Sequence, residues 1–226
     1  MPVNPTARPS PDPAYQGLTL PPFAQTASGP FVVAIEGPNG AGKTTLSWIL
    51  SRELGVPWCL GTDEAWFAEP LKVRMIRDAD WHASALFFLS GCFEQSRLLR
   101  QRAGRLVIMD RCLWSTLAVH AAESADRLRT LLAVLEPIAP QIQVPQLTLV
   151  LEASFATCQS RIANKSGAAR VLDELTATSG FHERERQFYQ WLGSQTSSVL
   201  FLDVNSDGPE DVADRALAML KARLGS

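Results

Sequence analysis

The sequence predicts an α/β fold in which a parallel sheet carries helices on both faces. Two observations make the prediction. Short continuous apolar runs alternate with longer stretches of helical spacing along residues 31–226. The first of those runs leads through a glycine-rich turn straight into a helical stretch, which is how a phosphate-binding α/β unit begins.

Each element follows from its own pattern. FVVAIE (31–36) is apolar throughout and bounded by glycine, as a strand buried on both faces should be. GKTTLSWILSREL places Leu46, Ile49, Leu50 and Leu54 on one helical face. VPWCL is a second short strand, residues 83–103 a long helix, and RLVIMD (105–110) a third strand. Leu131, Leu132, Leu135 and Ile138 mark another helical face. LTLVLEAS is the next strand, and FATCQSRIANK opens the helix that follows it. Residues 172–193 read as helix with Phe181, Phe188, Trp191 and Leu192 on one face. SVLFLDV is the last strand, and PEDVADRALAMLKARL closes the chain as a helix with Pro209 near its start. In a sheet of this kind, ligands bind beyond the carboxyl ends of the strands.

Composition narrows the function classes. The 226 residues suit one domain with one sizeable core, and 19% charged residues is ordinary for a globular chain. A net charge of −2 does not mark a nucleic-acid or membrane binder. No apolar stretch reaches membrane-spanning length, and the N-terminus lacks a secretory layout, so a cytoplasmic protein is expected. Cys59, Cys92, Cys112 and Cys158 stand far apart and form no metal cluster with the three histidines. Residues 1–30 hold eight of the fifteen prolines without apolar periodicity, and read as a disordered or loosely attached tail ahead of a domain spanning 31–226.

GPNGAGKTT satisfies G-x-x-x-x-G-K-[ST] in the required context, after a buried strand and at the mouth of a helix. Gly37, Asn39, Gly40, Ala41, Gly42, Lys43, Thr44 and Thr45 are therefore the candidate phosphate cradle. Such a loop aims backbone N–H groups inward, and the helix N-terminus adds unpaired donors. Lys43 is expected to bridge the β- and γ-phosphates of ATP, with Thr44 holding Mg2+. VIMDRCLWS then ends a strand on Asp110 and Arg111, a second candidate for the metal shell and a cation beside the phosphoryl group in flight.

Three kinds of phosphate-loop protein compete. A GTPase needs Asn-Lys-x-Asp, whereas Asn164-Lys165 is followed by Ser166-Gly167. LSGCFEQ looks like a transporter-ATPase signature, but Cys92 replaces its second glycine and arginine follows Asp110. A kinase explains more of the charges. Arg161 and Lys165 share a helix face, and Arg170 follows; together they suggest a basic lid over about 161–175.

IEGPNGAGKTTL, AEP, FLSGCFEQ, VIMDRCLWSTLA, LEASFATCQSRIANK and FHERERQFYQWL occur in the order seen in thymidylate kinases, and the chain also resembles deoxynucleoside kinases. The resemblance implies a three-layer P-loop nucleotide-kinase fold with a five-stranded parallel sheet and a helical lid. It also implies an ATP- and Mg2+-dependent kinase acting on a small-molecule phosphoryl acceptor, a nucleoside or nucleoside monophosphate, and a homodimer; the residues leave open a non-kinase ATP-binding switch or regulator, or a kinase for a non-nucleotide small molecule. Lys43 and Thr44 match the triphosphate and magnesium ligands, Asp110 and Arg111 the DR pair, and Ser115 the serine after it. The chain departs from thymidylate kinases at Ala68-Glu69-Pro70-Leu71, Cys92, Cys112 and Val119-His120. Two acceptor-side arginines are thereby absent, which puts thymidine monophosphate itself in doubt. Either Arg74 and Arg77 replace them, or the acceptor carries no phosphate and Glu69 takes the proton from its hydroxyl. Trp66, Phe67, Trp81, Phe93 and Trp114 are candidates to stack a base.

Overall fold

A computed structural model describes residues 12–24, 29–62, 69–165, 173 and 178–225, with Glu69 described only as the first residue of a helix. Five parallel strands, β1 (Phe31–Glu36), β2 (Trp58–Leu60), β3 (Leu106–Asp110), β4 (Leu147–Glu152) and β5 (Val199–Asp203), lie in the order β2-β3-β1-β4-β5. The described helices are α1 (Lys43–Leu54), α2 (Glu69–Arg77), α3 (Trp81–Gln101), α4 (Leu113–Glu123), α5 (Ala125–Leu135), α6 (Phe155–Ala163), α7 (Ser179–Gln195) and α8 (Pro209–Leu224). This is the expected three-layer α/β fold.

The strand pleat explains the three layers. Val32 and Ala34 of β1 face one core while Val33 and Ile35 face the other, and β3 divides Val107 and Met109 from Ile108 in the same way. On the first face α3, α4, α5 and α7 supply Leu89, Leu99, Trp114, Leu117, Leu128, Phe188 and Trp191. On the second, α1 and α8 supply Leu46, Ile49, Leu50, Val212, Ala216 and Leu220. Strands sandwiched this way must be apolar on both sides, which is why they read as unbroken runs.

Two helices carry no clear sequence signal. α4 (LWSTLAVHAAE) is apolar nearly all round because it packs between neighbours, among them α7 and α5. α2 is short, with a polar mean character. Of the helix expected over 172–193, α7 covers 179 onward, where Thr178 caps it by accepting from the Phe181 N–H at 3.2 Å; Asp173 is helical as well, and 172 and 174–177 fall outside the described residues. Most of the expected lid, apart from 161–165 and Asp173, falls outside the described residues, as does Arg170.

Within the segment 1–30 expected to be loose, residues 12–24 lie against the core. Tyr15 is buried, its ring 5.8 Å from that of Trp191, and Leu18, Leu20 and Phe23 pack on the same core. Phe23 meets Trp114 edge-on at 5.6 Å. Ala24 bridges in parallel to Gln143, its N–H donating to the Ile142 carbonyl at 3.2 Å. Prolines abolish any helix or strand period here, so burial proceeds without the periodicity by which it would be recognised. Tyr15→Ala is expected to cost about 1–3 kcal/mol and lower the melting temperature by several degrees. Thermal unfolding followed by circular dichroism measures this; an unchanged midpoint would show that the segment contributes nothing.

Candidate active site

β1 and β3 are neighbours, paired at Ile35 and Asp110, so the loops leaving their carboxyl ends emerge side by side. The first is the phosphate loop. α1 begins directly after Gly42 with no side-chain cap, which leaves its first-turn N–H donors for a ligand. Gly40 sits so close to α6 that a Cβ there would lie 2.5 Å from the Cys158 carbonyl oxygen. Lys43 is 4% exposed, and its ammonium donates to the carbonyls of Gly37 at 2.6 Å and Pro38 at 2.7 Å. Burial, then the Arg111 charge, lowers its pKa to about 8, against opposing pulls from Glu185, Glu36 and Asp110.

The second loop is the DR turn. Thr44 Oγ1 donates to Asp110 Oδ2 at 2.6 Å, while Asp110 Oδ1 is buried with no partner among the described residues. A hydroxyl and a carboxylate with a spare buried oxygen suit an oxygen-loving divalent cation. Among the described residues no group of three or more His, Cys, Asp or Glu could enclose a metal. Phosphate oxygens and water would have to complete its shell.

Arg111 has φ 67°, the only positive value at a non-glycine among the described residues, a conformation that costs about 1–2 kcal/mol. Its N–H donates to the Ile35 carbonyl at 3.0 Å. Its Nη2 donates to Asn39 Oδ1 of the phosphate loop at 2.6 Å, and Nη1 lies 3.5 Å from Ser115 Oγ. Gly61, after β2, lies against the turn from the far side: a Cβ there would stand 2.4 Å from the Arg111 carbonyl oxygen. The structure thus brings together Lys43, Thr44, Asp110, Arg111, Asn39 and Ser115.

Two carboxylates that the sequence argument passed over belong to the same region. Glu36, the last residue of β1, is fully buried and accepts from Cys112 N–H, Cys112 Sγ, Ser115 N–H, Ser115 Oγ and Tyr189 Oη at 2.5–3.2 Å. Its signal was present: like Asp110, it is a charge closing an apolar run. Glu185, from α7, is buried against the phosphate loop beside Pro38 and Asn39. Burial raises its pKa, with Lys43 and Arg111 pulling the other way. Burial, then Glu36, holds the Cys112 thiol well above its usual range.

An open cleft of about 500 Å³ runs from Gly40, Gly42, Thr44 and Thr45 past Arg161 and Lys165 to Val204, Asp207 and Pro209. Arg161 is built into its wall: Nη1 donates to the Ala41 carbonyl at 3.0 Å and Nη2 to that of Val204 at 2.8 Å. Lys165 pairs with Asp173 at 2.6 Å. Arg74 and Arg77 lie exposed in the last turn of α2, roughly 7–12 Å along its axis from Glu69. Neither approaches the DR turn in any described contact. Trp114 is core, its indole N–H donating to Thr148 Oγ1 at 3.2 Å, whereas Trp81 packs near His120 and under the Arg127 guanidinium. Trp66 and Phe67 fall outside the described residues.

A deoxynucleoside kinase family model matches residues 33–220, most of the chain. The chain belongs to the deoxynucleoside kinase family. It is accordingly a phosphotransferase, a nucleoside or nucleotide kinase. No curated protein matches this deoxynucleoside kinase family member by sequence. Among solved structures it is similar to thymidylate kinase from Candida albicans, with TM-score 0.69 and 20% identity over 88% of this chain and 94% of that one. It is also similar to deoxyadenosine kinase from M. mycoides with bound dATP, with TM-score 0.65 and 16% identity over 84% of this chain and 99% of that one. At such identities these likenesses establish the shared fold.

The lowered pKa of Lys43 makes nucleotide binding proton-linked. A triphosphate favours the charged ammonium, so binding raises the pKa from about 8 and takes up a proton where the free lysine is partly neutral. Calorimetry of Mg-ATP binding in buffers of different ionisation enthalpy should show uptake growing from about pH 7 to about pH 9. Lys43→Met should lose that component; pH-independent uptake in the wild type would contradict the assignment.

Proposed function

We propose that the chain is an ATP- and Mg2+-dependent kinase that phosphorylates a hydroxyl of a nucleoside, not the phosphate of a monophosphate. The observation that carries this is the charge balance at the DR turn. Among the described residues, one guanidinium, Arg111, stands among the buried carboxylates Glu36 and Glu185. Even with Glu185 protonated, Glu36 offsets Arg111, while Lys43 belongs to the donor triphosphate. The two candidate replacement cations, Arg74 and Arg77, lie in the last turn of α2. A further phosphate brought within about 6 Å of a buried carboxylate is opposed by about 3 kcal/mol per unit charge at an effective dielectric of about 20. A neutral hydroxyl meets no such penalty.

In this reading the triphosphate enters the cleft at the phosphate loop, and the Lys43 ammonium moves from the Gly37 and Pro38 carbonyls onto phosphate oxygens. Thr44 and Asp110 would hold a magnesium ion, which when bound would neutralise phosphate charge. Arg161 and Lys165 flank the donor along the cleft, with Arg170 as a further lid cation, and the base lies toward Val204 and Pro209. Arg111 stabilises charge on the phosphoryl group in transit, and Glu69 takes the proton from the acceptor hydroxyl.

Incubation with Mg-ATP and a panel of nucleosides and their monophosphates, read as ADP release, tests the proposal. A nucleoside should stimulate release and its monophosphate should not. A monophosphate as the better acceptor would overturn the charge-balance argument, and no stimulation by either would overturn the acceptor assignment.

A further inference from the structure

We infer that Glu36 is a positioning residue for phosphoryl transfer, acting by fixing the backbone and side chain of Arg111; the inference rests on the role given to Arg111 above. The contacts form a clamp. Two consecutive residues of β1 hold two consecutive N–H groups of the DR turn: the Ile35 carbonyl takes that of Arg111 at 3.0 Å, and Glu36 Oε1 takes that of Cys112 at 2.7 Å. A residue in the left-handed region relaxes unless both neighbouring peptides are held, and here both are.

The same carboxylate begins α4. Cys112, its N-cap, makes no side-chain capping bond, and Glu36 Oε1 accepts from the Ser115 N–H at 3.2 Å, a donor shared with the Cys112 carbonyl at 3.1 Å. A cap is thereby supplied from another element, with the negative charge where the helix end favours it. Glu36 Oε2 takes the Ser115 hydroxyl at 2.5 Å, and that oxygen lies 3.5 Å from Arg111 Nη1. Tyr189 of α7 donates to Oε2 at 3.0 Å and ties the carboxylate to that helix. Arg111 is therefore referenced to Glu36 through its backbone and through Ser115, and its Nη2 is left to reach Asn39. The geometry is that of a guanidinium held in place before substrate arrives, which is how fixed charges contribute to transfer.

The test is a double-mutant cycle on acceptor-stimulated turnover. Glu36→Gln keeps the shape and one carbonyl acceptor but removes the charge. It should lower kcat about 10- to 100-fold while KM for ATP moves less than about threefold. In an Arg111→Ala background the same change should cost less than about threefold, because a group acting through Arg111 has nothing further to lose. An unchanged kcat in Glu36→Gln, or an equal fold-loss in both backgrounds, overturns the inference. Thermal midpoints check folding; should Glu36→Gln fail to fold, Ser115→Ala enters the same cycle by removing one bond. The wild-type control separates the two levels of argument: without acceptor stimulation the nucleoside reading falls, and the cycle is then read on background Mg-ATP hydrolysis, where the same non-additivity is expected.

Discussion

The hydrogen-bond shell around Glu36 is the constraint on which the rest of the site depends. A fully buried carboxylate is costly unless its oxygens are satisfied, and this one accepts five bonds from the start of α4, its N-cap residue Cys112 and Tyr189 of α7. Those bonds join β1 to α4 and α7 at the carboxyl end of the sheet. They also fix where the DR turn stands relative to the phosphate loop that β1 itself leads into. Sheet register supplies the rest, since Ile35 pairs with Asp110 and brings Thr44 and Asp110 within 2.6 Å.

The site is strained and charge-rich, and these properties offset one another locally. Arg111 occupies a left-handed conformation that Gly61 makes room for and that the clamp from β1 holds. Lys43 is buried at the cost of a lowered pKa, with loop carbonyls as its partners. Both cations thus rest on the phosphate loop in advance: Lys43 against its carbonyls, Arg111 against Asn39. The balancing carboxylates Glu36 and Glu185 explain how two cations can be gathered in a buried place.

The strands were legible because burial on both faces leaves unbroken apolar runs, and the phosphate loop because its chemistry needs glycine, lysine and threonine at fixed spacing. Glu36 closes an apolar run as Asp110 does, but its partners were not legible, since Cys112, Ser115 and Tyr189 lie up to 153 residues away. Arg161 lies in α6 and Lys165 two residues past its end at Ala163, so they line one cleft without sharing a helix face; nor does spacing distinguish a free lid cation from one anchored, as Arg161 is, to the Ala41 and Val204 carbonyls. Arg74 and Arg77 were drawn toward the acceptor by proximity in sequence to Glu69; the helix carries them into its exposed last turn. The proline-rich segment over 12–24 buries Tyr15 and packs Phe23 with no repeat to announce it.

In the proposed function, the phosphate loop and the Glu36-anchored DR turn together form the phosphoryl-transfer centre. A crystal structure with magnesium and a non-hydrolysable ATP analogue tests it most directly. Phosphates should be cradled by residues 37–45, with Lys43 moved from the Gly37 and Pro38 carbonyls onto them, Arg111 still left-handed, and Cys112 and Ser115 bonded to Glu36. A triphosphate bound elsewhere, or a DR turn that releases Glu36 and swings Arg111 away from the γ-phosphate, would contradict it.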